Sequence, residues 1–186
     1  MMLVPLTGYL QNGGYSMKPW IAVLLILLAG PTVAQQHEHG HSPYAGLEHR
    51  EIKALSEQQI ADLKAGRGMG LALAAELNGY PGPLHVLELA DRLPLTLDQK
   101  QRVQQLFEAM KAEAIAAGEK LIECERELDQ AFAVHSMTAS RLTTLMTQIG
   151  EQQGAVRAAH LKYHLATAEV LSSDQIRRYA ELRGYH

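Results

Sequence analysis

The chain has 186 residues, 47% of them hydrophobic and 20% charged, a composition that suits one globular domain. Aromatic residues make up only 5%, so a core of Leu, Ala, Ile, Val and Met is expected, which favours helices packed on helices over a β-sandwich. The formal net charge is −3, and without a basic stripe a nucleic-acid partner is not expected.

The first 34 residues are predicted to be a secretory signal peptide. Lys18 precedes the apolar run 21–29, and residues 30–34 (Gly-Pro-Thr-Val-Ala) break that run and offer a cleavage site. The run is shorter than the ~20 residues that span a bilayer, although an uncleaved anchor is the alternative. Residues 1–16 carry no charge and lie directly before Met17, so we interpret them as an upstream extension from a misplaced start codon.

Cleavage after residue 34 would place the mature chain in the periplasm, with no membrane insertion. Removing residues 1–34 takes away one lysine and no acidic residue, which leaves 16 basic and 20 acidic residues, a formal charge of −4. The single cysteine, Cys124, allows no internal disulfide. It is interpreted first as a small buried hydrophobe, and an interchain disulfide or a metal thiolate are the alternatives.

Residues 35–54 are predicted to be a flexible, His-rich arm, because they show no hydrophobic periodicity. His37, His39 and His41 form a His-x-His-x-His pattern whose neutral imidazoles can wrap a soft or borderline cation. His-rich tails also occur without a defined site, so metal binding by the arm is one of two interpretations.

Residues 55–186 are predicted to be a helical domain, and its first helix opens with a capping box. Ser56 can cap the helix, Gln59 can reach back to the Ser56 backbone N–H, and Leu55 precedes the cap as a hydrophobic staple. Glycine and proline clusters then interrupt the pattern. Three short helices are expected in this part of the chain, near residues 57–64, 69–77 and 84–93.

A second capping box opens a long helix that runs to about Ala133. Thr96 is the cap, Gln99 is the third helical residue, and Leu95 precedes them. Apolar residues then recur at alternating steps of four and three and form one stripe that needs a partner helix. The stripe consists of Val103, Phe107, Met110, Ala114, Ala117, Leu121, Cys124, Leu128 and Ala131.

A break near residues 134–137 and a cap at Thr138 or Ser140 predict a second long helix that ends near Val170. Two long helices with a short link must lie antiparallel. The predicted fold is therefore all-α, with a long helical hairpin and short flanking helices.

The capping box occurs a third time where the last helix begins, at Leu171, Ser172 and Gln175. One start signal, Leu-Ser/Thr-x-x-Gln, is thus used for three helices, and we expect these residues to serve architecture rather than chemistry. Substituting Thr96 or Gln99 by alanine is expected to cost about 1 kcal/mol of stability, as lost caps do.

A helical metal site is a further hypothesis. His160 and His164 are four residues apart, so their imidazoles share one helix face and could share an ion such as zinc, copper or nickel. Folding the hairpin about residue 136 brings Glu108 and Glu113 opposite them, which could complete the site. In the alternative, His160 is half-buried between the helices and His164 is a solvated neighbour.

The motif pair Leu95-Thr96-x-x-Gln99 and Leu171-Ser172-x-x-Gln175, about one hairpin apart, resembles the periplasmic Spy/CpxP family. This family includes zinc-resistance-associated and heavy-metal-resistance relatives, and the resemblance covers residues 84–185. It differs at Ser172, where the family usually has Thr, and in its acidic balance, because Spy-like cradles tend to be basic on the concave face.

The resemblance implies a homodimer or higher oligomer, with the hairpins forming a curved cradle. It also implies ATP-independent chaperoning of unfolded envelope proteins, or damping of a membrane stress sensor, with no obligatory cofactor. A metal-binding resistance or sensor protein and an envelope scaffold are the alternatives. We expect no enzymatic activity, because no nucleophile with an ordered base, carboxylate pair or cofactor loop stands out.

Overall fold

The computed structural model describes residues 42–185, which contain helices and no strand. The predicted signal peptide, the upstream extension and His37, His39 and His41 lie outside these residues. Within them, no helix is long and apolar enough to cross a membrane. The helices are a 3₁₀ turn at Leu47–His49 followed by α1 (Glu57–Lys64), α2 (Leu73–Glu76), α3 (Pro83–Glu88), α4 (Leu97–Ala133), α5 (Ala139–Val170) and α6 (Ser173–Arg183).

Helices α4 and α5 form the predicted antiparallel hairpin, so the all-α fold is confirmed. Between them, His135 has a left-handed backbone (φ 54°) and the Ser136 N–H donates to the Ala131 carbonyl at 3.0 Å, which ends α4. Of the two candidate caps for α5, Thr138 is the one used, because its hydroxyl accepts from the Arg141 N–H at 3.2 Å.

The predicted stripe of α4 is buried or half-buried along its whole length. It contributes to two apolar clusters at different levels of the hairpin. The first cluster also involves α1 and the segment before it, and consists of Ile52, Leu63, Leu121, Ile122, Ile149 and Val156. The second lies at the open end of the hairpin and consists of Val86, Leu93, Val103, Leu171 and Tyr179.

Helix α1 and the loop after it lie very close to α4, and glycine makes this approach possible. A Cβ on Gly118 would lie 2.8 Å from the Leu63 carbonyl oxygen, and one on Gly66 would lie 3.0 Å from the Lys111 carbonyl oxygen. Gly66 also has φ +64°, which a residue with a side chain rarely adopts. The loop that follows α1 therefore runs in direct contact with the surface of α4.

The two short helices after α1 are shorter than predicted. Met69 and Gly70 both have positive φ, 45° and 77°, so the backbone cannot be helical there and α2 begins only at Leu73. Helix α3 starts at Pro83, one residue earlier than predicted, and ends at Glu88. From Leu89 to Leu93 the chain continues in turns that keep Leu93 buried in the second cluster.

The predicted arm ends earlier than residue 54. Ile52 is completely buried in the first cluster, and Lys53 is tied to Asp129 on α4 through both its backbone N–H (3.3 Å) and its ammonium group (3.1 Å). The composition of residues 35–54 hid this anchor, because one isoleucine among polar residues gives no periodic signal.

All three predicted capping boxes are present. Ser56, Thr96 and Ser172 each accept from the backbone N–H three residues later, and the glutamine there accepts from the cap's own N–H. Two of the three boxes are also bonded to each other. Gln99 Nε2 donates to Gln175 Oε1 at 2.9 Å, and Gln175 Nε2 donates to Gln99 Oε1 at 2.9 Å.

The remaining amide hydrogens follow the same two-fold pattern. Gln99 Nε2 donates to the Val170 carbonyl at 2.8 Å, and Gln175 Nε2 donates to the Pro94 carbonyl at 2.8 Å. Each carbonyl lies two residues before the other helix's cap. We call this arrangement of Thr96, Gln99, Ser172 and Gln175 the glutamine joint. It fastens the start of α6 to the start of α4 at the open end of the hairpin.

Candidate functional site

A cleft of about 670 Å³ lies between the hairpin and the segment 65–85, and the end of α6 also contributes to its wall. Segment 65–85 contributes a glycine-rich loop, α2 and the start of α3. The lining mixes apolar side chains with buried polar ones. The lining includes Arg67, Met69, Leu73, Glu76, Gly82, Leu84, Met110, His160, His164, Arg183 and Tyr185.

Both histidines of the predicted pair face this cleft and both are buried, with 3% of His160 and 7% of His164 exposed. The alternative prediction is a half-buried His160 beside a solvated His164. It is wrong for His164, which is buried. Segment 65–85 covers this face of α5, and no feature of the α5 sequence alone could indicate that cover.

His160 has an unsatisfied polar atom. Its Nε2 is fully buried and has no hydrogen-bond partner, the only such side-chain nitrogen or oxygen within residues 42–185. Burial lowers the pKa of His160, the neighbouring His164 lowers it further, and a hydrogen bond to the Arg67 backbone opposes them. The neutral form of the ring is therefore favoured, and its Nε2 has no partner.

His164 is held by a backbone carbonyl. Its Nδ1 donates to the Tyr80 oxygen at 2.7 Å, which requires the proton on Nδ1 and leaves Nε2 unprotonated in the neutral ring. The ring edge fits against Gly82, where a Cβ would lie 2.8 Å from Cε1 and 2.9 Å from Nε2. A glycine is needed at this position for the imidazole to occupy its place.

Glu76 is a buried carboxylate that organises the end of the cleft. It accepts from the hydroxyls of Tyr179 and Tyr185, the latter at 3.0 Å, and from the Gly82 N–H at 3.2 Å. Arg183 Nε lies 3.4 Å from the same carboxylate. Burial, and then the bond to Glu76, raises the pKa of Tyr179 far above its usual range, so this phenol stays a donor.

The glycine-rich loop is fixed by ionic and backbone contacts. Arg67 pairs with Asp62 at 2.5 Å, and the Arg67 N–H donates to the Asp62 carbonyl at 2.9 Å. The hydrogen bond from Arg67 also lowers the pKa of the Asp62 carboxyl. Met69, between two glycines, keeps its positive φ in this loop and is 41% exposed.

The structure gives other partners to the two glutamates of the predicted metal site. Glu113 pairs with Lys162 at 2.5 Å and accepts from the Tyr163 hydroxyl at 3.0 Å, and Lys162 lowers its pKa. Glu108 accepts from Gln104 on its own helix. The register about residue 136 was close, but Glu113 meets residues 162 and 163 rather than His160.

Within the described part of the chain, no three or more His, Cys, Asp and Glu residues are grouped so as to hold a metal ion. The four-residue site of His160, His164, Glu108 and Glu113 is therefore not assembled as predicted. What remains of that hypothesis is the histidine pair.

Cys124 is half-buried and packs against the first apolar cluster, away from the cleft lining. Burial raises the pKa of its thiol, and Glu127, Glu123 and Glu125 raise it further. A thiol held protonated in this way is a poor nucleophile and a poor metal ligand, which favours the interpretation as a small core residue.

Sequence reasoning missed most of the residues around the histidines. Glu76 and Tyr179 are 103 residues apart, and Tyr80 acts through its backbone carbonyl. The available signal was weak: Glu76 is the only charged residue in the otherwise apolar segment 71–77.

Comparison of the chain with known protein families, curated proteins and solved structures found no match.

Proposed function

We propose that this protein is an exported, ATP-independent helical chaperone or envelope stress-response protein of the Spy/CpxP type, working in the periplasm as a homodimer or larger oligomer. Its clients would be unfolding envelope proteins. The resemblance of the paired motifs at Leu95 and Leu171 suggested this reading, and the two motifs are joined in the folded chain by reciprocal glutamine hydrogen bonds.

A set of exposed apolar side chains is the observation on which this proposal rests. Of the eleven large apolar residues that are exposed within residues 42–185, five lie in the 16-residue segment 69–84. We call these five the apolar rim, and three of them also line the cleft. The rim consists of Met69, Leu73, Leu77, Tyr80 and Leu84, which are between 40% and 59% exposed.

Exposed apolar side chains gathered in one region are typical of a surface that binds another chain. The acidic balance of the mature chain argues against electrostatic capture of acidic clients, so apolar contact would supply the affinity. The short helices that carry part of the rim pack against the long hairpin, which leaves these apolar groups exposed to water.

The proposal is tested by light scattering of a reduced, unfolding client protein at equimolar concentration without ATP. The full chain is expected to suppress the rise in scattering. The variant Leu73→Ser/Leu77→Ser is expected to lose most of that suppression, because it removes the two most exposed rim residues.

Leu97→Ser/Leu165→Ser is the matched control, since both leucines are more than half exposed and neither belongs to the rim. Unaltered suppression by the rim variant, or no suppression by the unmodified chain, would contradict the proposal. Mass measurement by scattering at increasing concentration tests the proposed oligomer separately.

A metal-binding resistance or sensor function is the second candidate. It is favoured by one observation, the buried and unpartnered Nε2 of His160 beside a second imidazole. Titration calorimetry with zinc, copper and nickel compares the unmodified chain with His160→Ala/His164→Ala. Identical stoichiometry and affinity in the two proteins would exclude the helical histidines as ligands.

A further inference from the structure

The two histidines of the cleft lie one helical turn apart on α5. The Nδ1–H of His164 donates to the Tyr80 carbonyl at 2.7 Å, so that in the neutral ring Nε2 carries the lone pair. The Nε2 of His160 is fully buried and has no hydrogen-bond partner, and it can ligate an ion when the proton of the neutral ring is on Nδ1.

This is how metal-binding histidines are commonly prepared. A backbone carbonyl that accepts from Nδ1–H fixes the tautomer and aims the lone pair of Nε2 at the ion. Without an ion or a donor, a buried lone pair is an unmet hydrogen-bonding group, which costs free energy. The unpaired Nε2 of His160 therefore costs free energy in the empty cleft, and a bound cation would remove that cost.

Beyond the two imidazoles, the only side-chain carboxylate that the described residues bring to the cleft lining is that of Glu76. Glu113 is neutralised by Lys162 outside the cleft, and Glu76 already accepts from two tyrosines and a backbone N–H. Zinc would need further thiolate, imidazole or carboxylate ligands, and no such group of three is found in the described part of the chain.

Two thioethers line the same cleft. Met110 reaches it from α4 and is 6% exposed, and Met69 reaches it from the glycine-rich loop. Met69 is held at φ 45°, a left-handed conformation that costs free energy for a residue with a side chain and is often kept at ligand sites. Thioether is a soft ligand that favours Cu(I), and imidazole suits copper as well.

We propose that the cleft is a binding site for a soft monovalent cation, Cu(I), with the Nε2 atoms of His160 and His164 and the thioether sulfurs of Met110 and Met69 as ligands. This inference rests on the metal-binding candidate function and narrows it to one ion class and one ligand set. Met110 belongs to the apolar stripe and packs as core when the site is empty.

The test uses the full chain with His37→Asn/His39→Asn/His41→Asn, so that the His-rich arm does not compete. Cu(I) is supplied anaerobically under reducing conditions in competition with a chromophoric chelator, and Ag(I) serves as a redox-inert probe. One equivalent of each ion is expected to bind, and X-ray absorption at the copper edge is expected to show both sulfur and nitrogen neighbours.

In that background, Met69→Leu/Met110→Leu is expected to weaken Cu(I) binding by at least about tenfold, the smallest loss usually seen when a metal site is altered. Leucine conserves volume, so the fold should be kept, and far-UV circular dichroism checks it. Met146→Leu is the matched control, because Met146 lies on α5, is 45% exposed and is absent from the cleft lining.

Metal binding by the cleft and the assignment of the thioether ligands are contradicted by different results. If neither Cu(I) nor Ag(I) competes with the chelator, the cleft is no metal site and the inference is overturned. If copper binds with unchanged affinity in the double methionine variant, or shows nitrogen neighbours only, the thioether assignment is overturned while metal binding itself survives. The scattering assay without metal is independent of both results.

Discussion

The capping boxes at Thr96 and Ser172 and the box at Ser56 share the pattern Leu-Ser/Thr-x-x-Gln and the same internal hydrogen bonds, yet their surroundings differ. Gln99 and Gln175 are half-buried and buried, and every amide hydrogen and oxygen of the two side chains is bonded. Gln59 is exposed, and its side chain bonds only to its own cap.

The difference shows that a motif's energetic importance is set by what lies beside it. In the lone box, losing the glutamine exposes one N–H that water can reach. In the glutamine joint, losing one glutamine breaks both amide–amide bonds and leaves a backbone carbonyl without its donor, while the other amide keeps its bonds to its own cap and to one carbonyl. A buried group left unpaired costs about 1–3 kcal/mol.

The largest effect is therefore expected for Gln175→Ala, a loss of about 2 to 3 kcal/mol in the free energy of unfolding. Gln99→Ala should cost about 2 kcal/mol, more than a cap alone. Urea unfolding followed by circular dichroism measures both. The double variant should cost clearly less than the sum of the two, since the partners share their bonds; strict additivity would show that the joint is not one unit.

The cap residues Thr96 and Ser172 are expected to have the next largest effect on stability. Thr96→Ala and Ser172→Ala should each cost about 1 kcal/mol, because each removes one bond to the first turn of its helix and leaves the glutamine pair in place. The same denaturation experiment applies. A cost equal to that of Gln175→Ala would mean that the joint depends on its caps rather than on the amides.

The lone box should be the least sensitive of the three. Gln59→Ala is expected to lower stability by about 0.5 kcal/mol or less, as for most exposed sites. It is the control for the joint, since the side chain, the helix position and the local bonds are the same. A loss as large as that of Gln99→Ala would remove the distinction between the two kinds of box.

Glu125 on α4 differs from the bonded glutamines of the joint. It is a buried polar group, and burial alone raises the pKa of its carboxyl. The folded state keeps its proton to a higher pH than the unfolded state, so stability is lost as pH rises from about 4.5, the unfolded value, through the raised folded value.

Glu125→Gln should therefore unfold at a higher temperature than the unmodified chain at pH 7 and at the same temperature at pH 4. This is the smallest expected effect, because one charge changes and the packing volume does not. Thermal melts at both pH values test it; a constant difference at the two values would contradict it.

The parts of this fold that could be predicted from the sequence are those determined by local signals. Capping residues and apolar spacing located α1, α4, α5 and α6 to within about a residue, since a cap and a stripe are short-range properties. The ends of α2 and α3 were missed because the left-handed backbone at Met69 and the turns that bury Leu93 before Pro94 depend on packing.

The cleft could be predicted only in part for the same reason. Spacing along one helix identified His160 and His164, but the groups around them come from the glycine-rich loop and from the turn between α2 and α3. A hairpin register that is wrong by two or three residues is enough to exchange one carboxylate for another. For this reason Glu113 pairs with Lys162 and does not face His160.

The glutamine joint also has a consequence for the order in which the chain folds. Its two amides are 76 residues apart, so they can meet only after the hairpin link has formed and both long helices have closed against each other. Bonds made this late contribute little to the transition state. Weakening the joint should then leave the refolding rate almost unchanged and make the native protein unfold faster, so the joint lengthens the lifetime of the folded state rather than guiding the chain toward it.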